Sequence, residues 1–202
     1  MILEKVETGS ALAPMPPAMT QAEQALLRAA AAGAPRAMEF GCGGSTALLL
    51  DAGVEALLSV DSDAAWLGRV AGQHTAAMAQ GRLRQWHAQI GPVGEWGWPL
   101  RPPGPLEGWL YWGAPWSDMA QVDVVLVDGR FRIACALAAH GRLAAEGVLA
   151  IHDFWPRRAY QDALKPFFHV IGSAGSMALM QPVPVVQAAL LTAQQRHAAD
   201  AR

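Results

Sequence analysis

Short, nearly unbroken apolar runs recur along the chain, and each closes on a polar residue or a glycine. Ala37-Met38-Glu39-Phe40 runs into a glycine turn, and Ala56-Leu57-Leu58-Ser59-Val60 ends in Asp61. Val122-Asp123-Val124-Val125-Leu126-Val127 ends in Asp128, and Gly147-Val148-Leu149-Ala150-Ile151 ends in His152-Asp153. Runs this short, with so little alternation, read as strands covered on both faces, as in a parallel sheet flanked by helices. Strands are placed at about 36–40, 56–61, 122–127 and 147–152, with another in the alternating stretch 82–90.

The segments between them carry helical periodicity. Thr20-Gln21-Ala22-Glu23 is a capping box that opens a helix to about Ala32, ended by Gly33 and Pro35. Further helices are predicted from the glycine turn to about Leu50, from Asp63 to about Ala79, and over about 131–141 and 157–165. In the helix after Asp63, residues Trp66, Leu67, Val70 and Met78 are the core candidates. Stretches 169–173 and 177–181 flank Gly175 and predict a terminal hairpin. Together these elements predict an α/β chain with a Rossmann-like, doubly wound sheet. The sheet is mostly parallel and seven-stranded, with an antiparallel C-terminal strand. Residues 1–35 are an extended lead-in carrying Pro14, Pro16 and Pro17, then the first helix. Residues 36–182 form the domain proper, and 183–202 a tail that is a short helix or frayed.

Residues 91–117 break the pattern. Trp96, Trp98, Trp109, Tyr111, Trp112 and Trp116 stand there among prolines and glycines. A long structureless insertion of this kind is usually functional. Its rings either cover a ligand pocket, pack against a second subunit in a homodimer, or pin the loop to the body.

Composition narrows the classes. At 52% hydrophobic and 16% charged, the 202 residues suit one globular domain with a sizeable core. A net charge of −2 argues against a nucleic-acid partner held by general electrostatics. Two cysteines, Cys42 and Cys135, suggest neither a disulfide framework nor a zinc site and fit a cytoplasmic protein. There is no basic stretch followed by an apolar core, so no secretory signal is expected, and no run is long enough for a membrane span.

The chemistry is concentrated at Glu39-Phe40-Gly41-Cys42-Gly43-Gly44-Ser45-Thr46. A strand, a glycine turn and a helix start make a nucleotide-cofactor site, and Asp61, about 20 residues on, is placed to accept from ribose hydroxyls. Glu39 decides which cofactor. A carboxylate beside the turn repels a diphosphate but pairs with an ammonium, directly or through water. S-adenosylmethionine carries an ammonium and no phosphate. Thr46 stands where a dinucleotide fingerprint wants its third glycine, which counts against NAD. No Lys follows the glycines, so the turn is not a phosphate-binding loop.

Residues 39–46 and Asp61 resemble the first two motifs of the class I S-adenosylmethionine-dependent methyltransferases. The resemblance continues through 122–128 and 147–153, like that family's fourth and fifth strands, and covers roughly residues 36–182. The segments DGRFRIACAL and IHDF are similar to bacterial methyltransferase-like proteins whose substrate is often unassigned. The resemblance implies a cofactor site built from Glu39, Gly41, Gly43, Ser45, Thr46, Asp61, Ser62 and Asp128. It also implies that Gln89 and Ile90 hold the adenine, with Gln89 where many relatives have an acid. Asp128-Gly129-Arg130 stands where DNA amino methyltransferases carry an Asp/Asn-Pro-Pro-aromatic run, so that activity is not expected.

His152, with Asp128 beside it, is the candidate base for a hydroxyl acceptor on a small-molecule substrate, because an imidazole titrates near neutrality. The alternative is a structural strand-end histidine. Asp128 and Asp153 are also the pair that metal-dependent catechol-type relatives would use for a divalent cation; the reading adopted is without metal. Arg130, Arg132, Arg157 and Arg158 either grip a carboxylate or phosphate or are solvated helix starts. The competing functional readings are a non-catalytic cofactor-binding protein of the same fold and an NAD-linked oxidoreductase.

Overall fold

The computed structural model describes residues 15–202, so Pro14 of the expected lead-in lies outside it. In chain order the helices are α1 (Gln21–Ala31), α2 (Gly44–Asp51), α3 (Ala64–Gln73), α4 (Thr75–Ala79), α5 (Pro105–Trp112), α6 (Arg132–Ala139), α7 (Arg158–Leu164) and α8 (Gln187–His197). The strands are β1 (Arg36–Phe40), β2 (Ala56–Asp61), β3 (Leu83–His87), β4 (Val122–Val127), β5 (Leu143–Ile151), β6 (Phe168–Ala174) and β7 (Met177–Pro182). They form one sheet in the order β3-β2-β1-β4-β5-β7-β6. The first five run parallel, and β7 is antiparallel to both β5 and β6. The chain winds outward from β1 to β3 and restarts at β4. The crevice therefore opens between the carboxyl ends of β1 and β4, where such sheets bind ligands.

Alternation along each strand sorts the core into two layers. Met38, Phe40, Leu58, Val60, Val125 and Val127 face the cluster completed by Tyr111 of α5, Leu137 of α6, Leu164 of α7 and Leu190 of α8. Ala37, Leu57, Val124, Leu126 and Ala150 face the cluster completed by Leu27 of α1 and Leu48 and Leu49 of α2. Each such buried leucine or valine contributes about 1.5–3 kcal/mol.

Several boundaries differ from expectation. The helix expected over 63–79 breaks at His74 into α3 and α4. Gly68 and Gly72 each cost an α-helix about 1 kcal/mol relative to alanine, which weakens the stretch just before the break. Leu67 and Val70 are buried as expected, whereas Trp66 and Met78 are half-buried. β5 begins at Leu143 because its first residues extend the pairing to Val122 before a bulge. The 91–117 segment is not structureless. It contains α5, two short 3-10 turns and an isolated bridge between Val93 and Pro99. The tail folds as α8, and beyond it the carbonyls of Ala201 and Arg202 accept from Phe131 N and Arg132 N at the start of α6, both at 3.3 Å. No helix among the described residues is long and apolar enough to cross a membrane.

Candidate functional site

The crevice widens into a cavity of about 1070 Å³, at the top of the roughly 300–1,000 Å³ usual for small-molecule sites. One wall is the glycine turn with Asp61. The opposite wall is Asp128, His152 and Asp153 at the ends of β4 and β5.

Glycine is required where the two walls meet. A Cβ on Gly41 (φ 91°) would lie 2.5 Å from the Cα of Gly129, so the turns after β1 and β4 pack backbone to backbone. Glu39 shares the face of Ala37 and is directed toward the start of α2. It is fully buried, and Ser45 Oγ, Thr46 Oγ1 and Ser59 Oγ donate to it at 2.8, 2.6 and 2.5 Å. Burial pushes its carboxyl up to about 7, against those three donors. Thr46 Oγ1 also accepts from Gly43 N at 3.2 Å. Glu39 does not line the cavity. Its observed work is to lock the turn through α2.

Asp61 does face the cavity. Its Oδ2 accepts from Cys42 N at 3.2 Å and its Oδ1 from Asp63 N at 3.0 Å. Burial raises its pKa. The Cys42 thiol also points at Oδ2, at 3.8 Å, and a thiol is a donor weak enough for a ligand hydroxyl to displace.

His152 lies between carboxylates. Its Nδ1 is 3.0 Å from Asp128 Oδ1 and 3.7 Å from Asp153 Oδ1, and its Nε2 is 3.5 Å from Glu23 Oε1. Burial lowers the imidazole's pKa, but the hydrogen bond to Asp128 and the charges of Asp128, Asp153 and Glu23 outweigh it, and the net shift is upward. Asp153, in the left-handed region at φ 58°, donates its N–H to Ser176 Oγ at 3.2 Å.

Arg132 ties this wall together. Its guanidinium donates to the carbonyls of Gly129 (2.9 Å), His152 (2.9 Å) and Asp128 (3.1 Å). It also pairs with the Asp128 and Asp153 carboxylates at 3.2 and 3.4 Å. A cation bound between those two acids would meet this guanidinium. Among the described residues, no group of three or more His, Cys, Asp or Glu is placed to hold a metal.

Of the residues expected at the cofactor, Gly41, Gly43, Ser45, Asp61 and Asp128 line the cavity; Glu39, Thr46, Ser62, Gln89 and Ile90 do not. The β3 ladder stops at His87, after which Ile90 turns into the core and Gln89 faces out. Ser62 is buried beneath the 94–98 loop, its hydroxyl 3.4 Å from Gly97 O. That loop brings Trp96 and Trp98 to the cavity, whereas Tyr111 and Trp116 anchor the rest of the segment in the core. Trp66 and Arg69 of α3 line the cavity too, and Glu23 of α1 stands behind His152. Glu23 was legible only as a capping residue; its burial has no sequence signal beyond the helix's apolar face.

No protein-family model matches the chain, and no curated protein matches its sequence. The strand order, the reversed β7 and the crevice at the switch point are those of the class I S-adenosylmethionine-dependent methyltransferase fold, and the chain has that fold. In particular it is similar to the crystal structure of a methyltransferase-like protein from Silicibacter pomeroyi DSS-3, at 28% identity and a TM-score of 0.76, covering 93% of this chain and 98% of that one. The O-methyltransferase TomG from Streptomyces achromogenes, in complex with SAM, aligns at 17% identity and TM-score 0.55 over 83% of this chain and 82% of that one. The N-methyltransferase NodS from Bradyrhizobium japonicum aligns at 12% and 0.51 over 80% and 93%. These last two share the fold while differing in the atom methylated, so the acceptor has to be argued from the site.

Proposed function

We propose that the protein transfers a methyl group from S-adenosylmethionine to a small-molecule acceptor, at oxygen rather than nitrogen. One observation carries this reading: Asp61 with its glycine turn and His152 with Asp128 face a single cavity from opposite walls. The size of the cavity suits a cofactor and an acceptor together. Bound there, S-adenosylmethionine supplies a methyl group already activated by its sulfonium.

The chain's own residues then have three tasks. Asp61 accepts from the ribose hydroxyls, which displace the weak Cys42 thiol donor. The Gly41–Gly43 backbone lets the cofactor approach without side-chain interference. His152, hydrogen-bonded to Asp128, takes the acceptor's hydroxyl proton, and the charges of Asp128, Asp153 and Glu23 favour the imidazolium so formed. Alignment of nucleophile and methyl provides most of the acceleration, as expected for two groups held in one cavity.

Calorimetry with S-adenosylhomocysteine and NAD, followed by transfer of labelled methyl into small-molecule fractions, tests the reading. Binding of S-adenosylhomocysteine and a labelled product lost in His152→Ala are expected. Tighter binding of NAD would overturn the cofactor assignment. Cofactor binding without transfer to any fraction would favour a non-catalytic protein.

A further inference from the structure

One buried charged side chain in the cavity is left without work by the arrangement above. Arg130 follows β4, lines the cavity and is only 9% exposed. Its guanidinium makes no hydrogen bond and no ion pair among the described residues, and its Nε is a buried donor without a partner. The indole of Trp98 covers one face of the guanidinium, with the ring centroid 4.1 Å away. Stacking of this kind leaves the in-plane N–H groups free, and those are the donors that match a carboxylate or phosphate two at a time.

The surrounding charges sharpen the point. Asp128 and Asp153 are already engaged by Arg132 and His152, and Asp153 also accepts from Arg157 Nη2 at 3.0 Å. Burial lowers the pKa of Arg130 from the usual guanidinium value, and the nearby charges of Arg132 and Arg157 add to this. It remains a cation all the same. A desolvated cation with unused donors is unfavourable unless something answers it. Arg157, half-exposed on the same cavity, keeps donors beyond the one given to Asp153. Trp96 and Trp98 add an apolar wall.

We infer that Arg130, assisted by Arg157, anchors an anionic oxygen group, a carboxylate or a phosphate monoester, on the methyl acceptor. The inference rests on the methyltransferase reading of the cavity, because it takes the anchored molecule to be the acceptor. The anchor holds the acceptor by charge-assisted hydrogen bonds and takes no part in bond making.

The test is calorimetry on the full chain, with and without saturating S-adenosylhomocysteine. The probes are benzoate, phenyl phosphate and inorganic phosphate, with benzamide and benzyl alcohol as neutral counterparts. At least one anion should bind, more than tenfold tighter than the neutral probes, and should still bind when S-adenosylhomocysteine is present. Which anion binds distinguishes a carboxylate from a phosphate acceptor. Arg130→Gln should weaken that anion at least tenfold while melting no lower than the parent, since it removes an unpaired buried charge. Arg157→Gln, at a half-exposed site, should weaken it severalfold and serves if Arg130→Gln does not fold. Failure of all three anions to bind, or equal binding of the neutral probes, would overturn the anchor. So would unchanged anion affinity in both variants. Mutual exclusion of anion and S-adenosylhomocysteine would assign Arg130 to the cofactor's own carboxylate and also overturn it. The anion titration without S-adenosylhomocysteine reads the anchor even if the cofactor assignment fails.

Discussion

Glu23 and Ser176 are 153 positions apart, and the backbone N–H and the hydroxyl of Ser176 both donate to Glu23 Oε1 at 2.7 Å. The other oxygen, Oε2, accepts from Thr20 N at 2.7 Å and Thr20 Oγ1 at 2.9 Å. One buried carboxylate thus caps α1, fixes the β6–β7 turn and backs His152. Burial opposes its ionisation, but the donors from Ser176 and Thr20 hold its pKa down at about 2.

That depression has a definite sign. The folded pKa lies below the ordinary 4.5, so the stability it contributes is present above pH 4.5 and is lost as pH falls toward 2. Glu23→Gln should cost on the order of 1–3 kcal/mol at pH 7, the upper end being the full size of the shift and the lower end allowing for solvent screening. By about pH 3 the difference from the parent should shrink to less than half. Urea denaturation of both proteins at the two pH values measures this. A pH-independent difference would mean that Glu23 acts by packing alone.

Glu39 has the opposite sign. Its folded value of about 7 lies above 4.5, so its contribution is greatest in acid and is lost as pH rises through 7. The parent should lose about 3 kcal/mol between pH 4.5 and 8 from this group, and Glu39→Gln should have a flatter profile. The upward shift of His152 contributes in the upper part of the same window in both proteins, so the difference between the two isolates Glu39.

Asp61→Ala should weaken S-adenosylhomocysteine by about 1.5–3 kcal/mol through lost charge-assisted hydrogen bonds. The same change frees Cys42 N and Asp63 N, so the turn loosens as well. Gly43→Val should abolish binding, because a Cβ there meets the Trp66 ring at 3.4 Å and valine is strained at the φ of 155° that Gly43 adopts; a melting curve shows whether the variant is folded when its binding is read. Calorimetry on both variants checks this; unchanged affinity in both would place the cofactor elsewhere.

If His152 is the base, activity rises with pH through its pKa, because only the neutral imidazole can take a proton. The acid limb of the rate profile should therefore lie above the ordinary 6.5. Asp128→Asn and Glu23→Gln should each move that limb downward, since both remove a charge that favours the imidazolium. A limb that moves in neither variant would remove His152 from proton transfer.

Much of this fold was legible because parallel strands covered on both faces leave continuous apolar runs, as at 56–60 and 122–127. The terminal hairpin was legible at Gly175, whose φ of 52° suits a residue without a Cβ. Less visible was what happens where the chain leaves the ladder. Gln89 and Ile90 stand two or three residues past β3, and there periodicity no longer says which way a side chain points. Burial of Arg130 and Arg132 was equally hidden: the groups that receive Arg132 lie just past the ends of two strands, and the ring that covers Arg130 comes from the 94–98 loop. The apolar 91–117 rings divided by distance from the body, with Tyr111 and Trp116 absorbed and Trp96 left 79% exposed.

The reversal of β7 has a geometric outcome for the cavity. In an uninterrupted parallel sheet every strand starts at the far edge, and only strand ends reach the ligand. Because β7 runs the other way, its start is delivered to the ligand edge, which is how Ser176 comes to touch both Glu23 and the backbone of Asp153. The hairpin tip therefore serves as a wedge between the first helix and the end of β5, and its length is set by the reach from Ser176 to Glu23. A longer or shorter tip would shift the carboxylate beside His152 while leaving the cofactor-facing turns as they are.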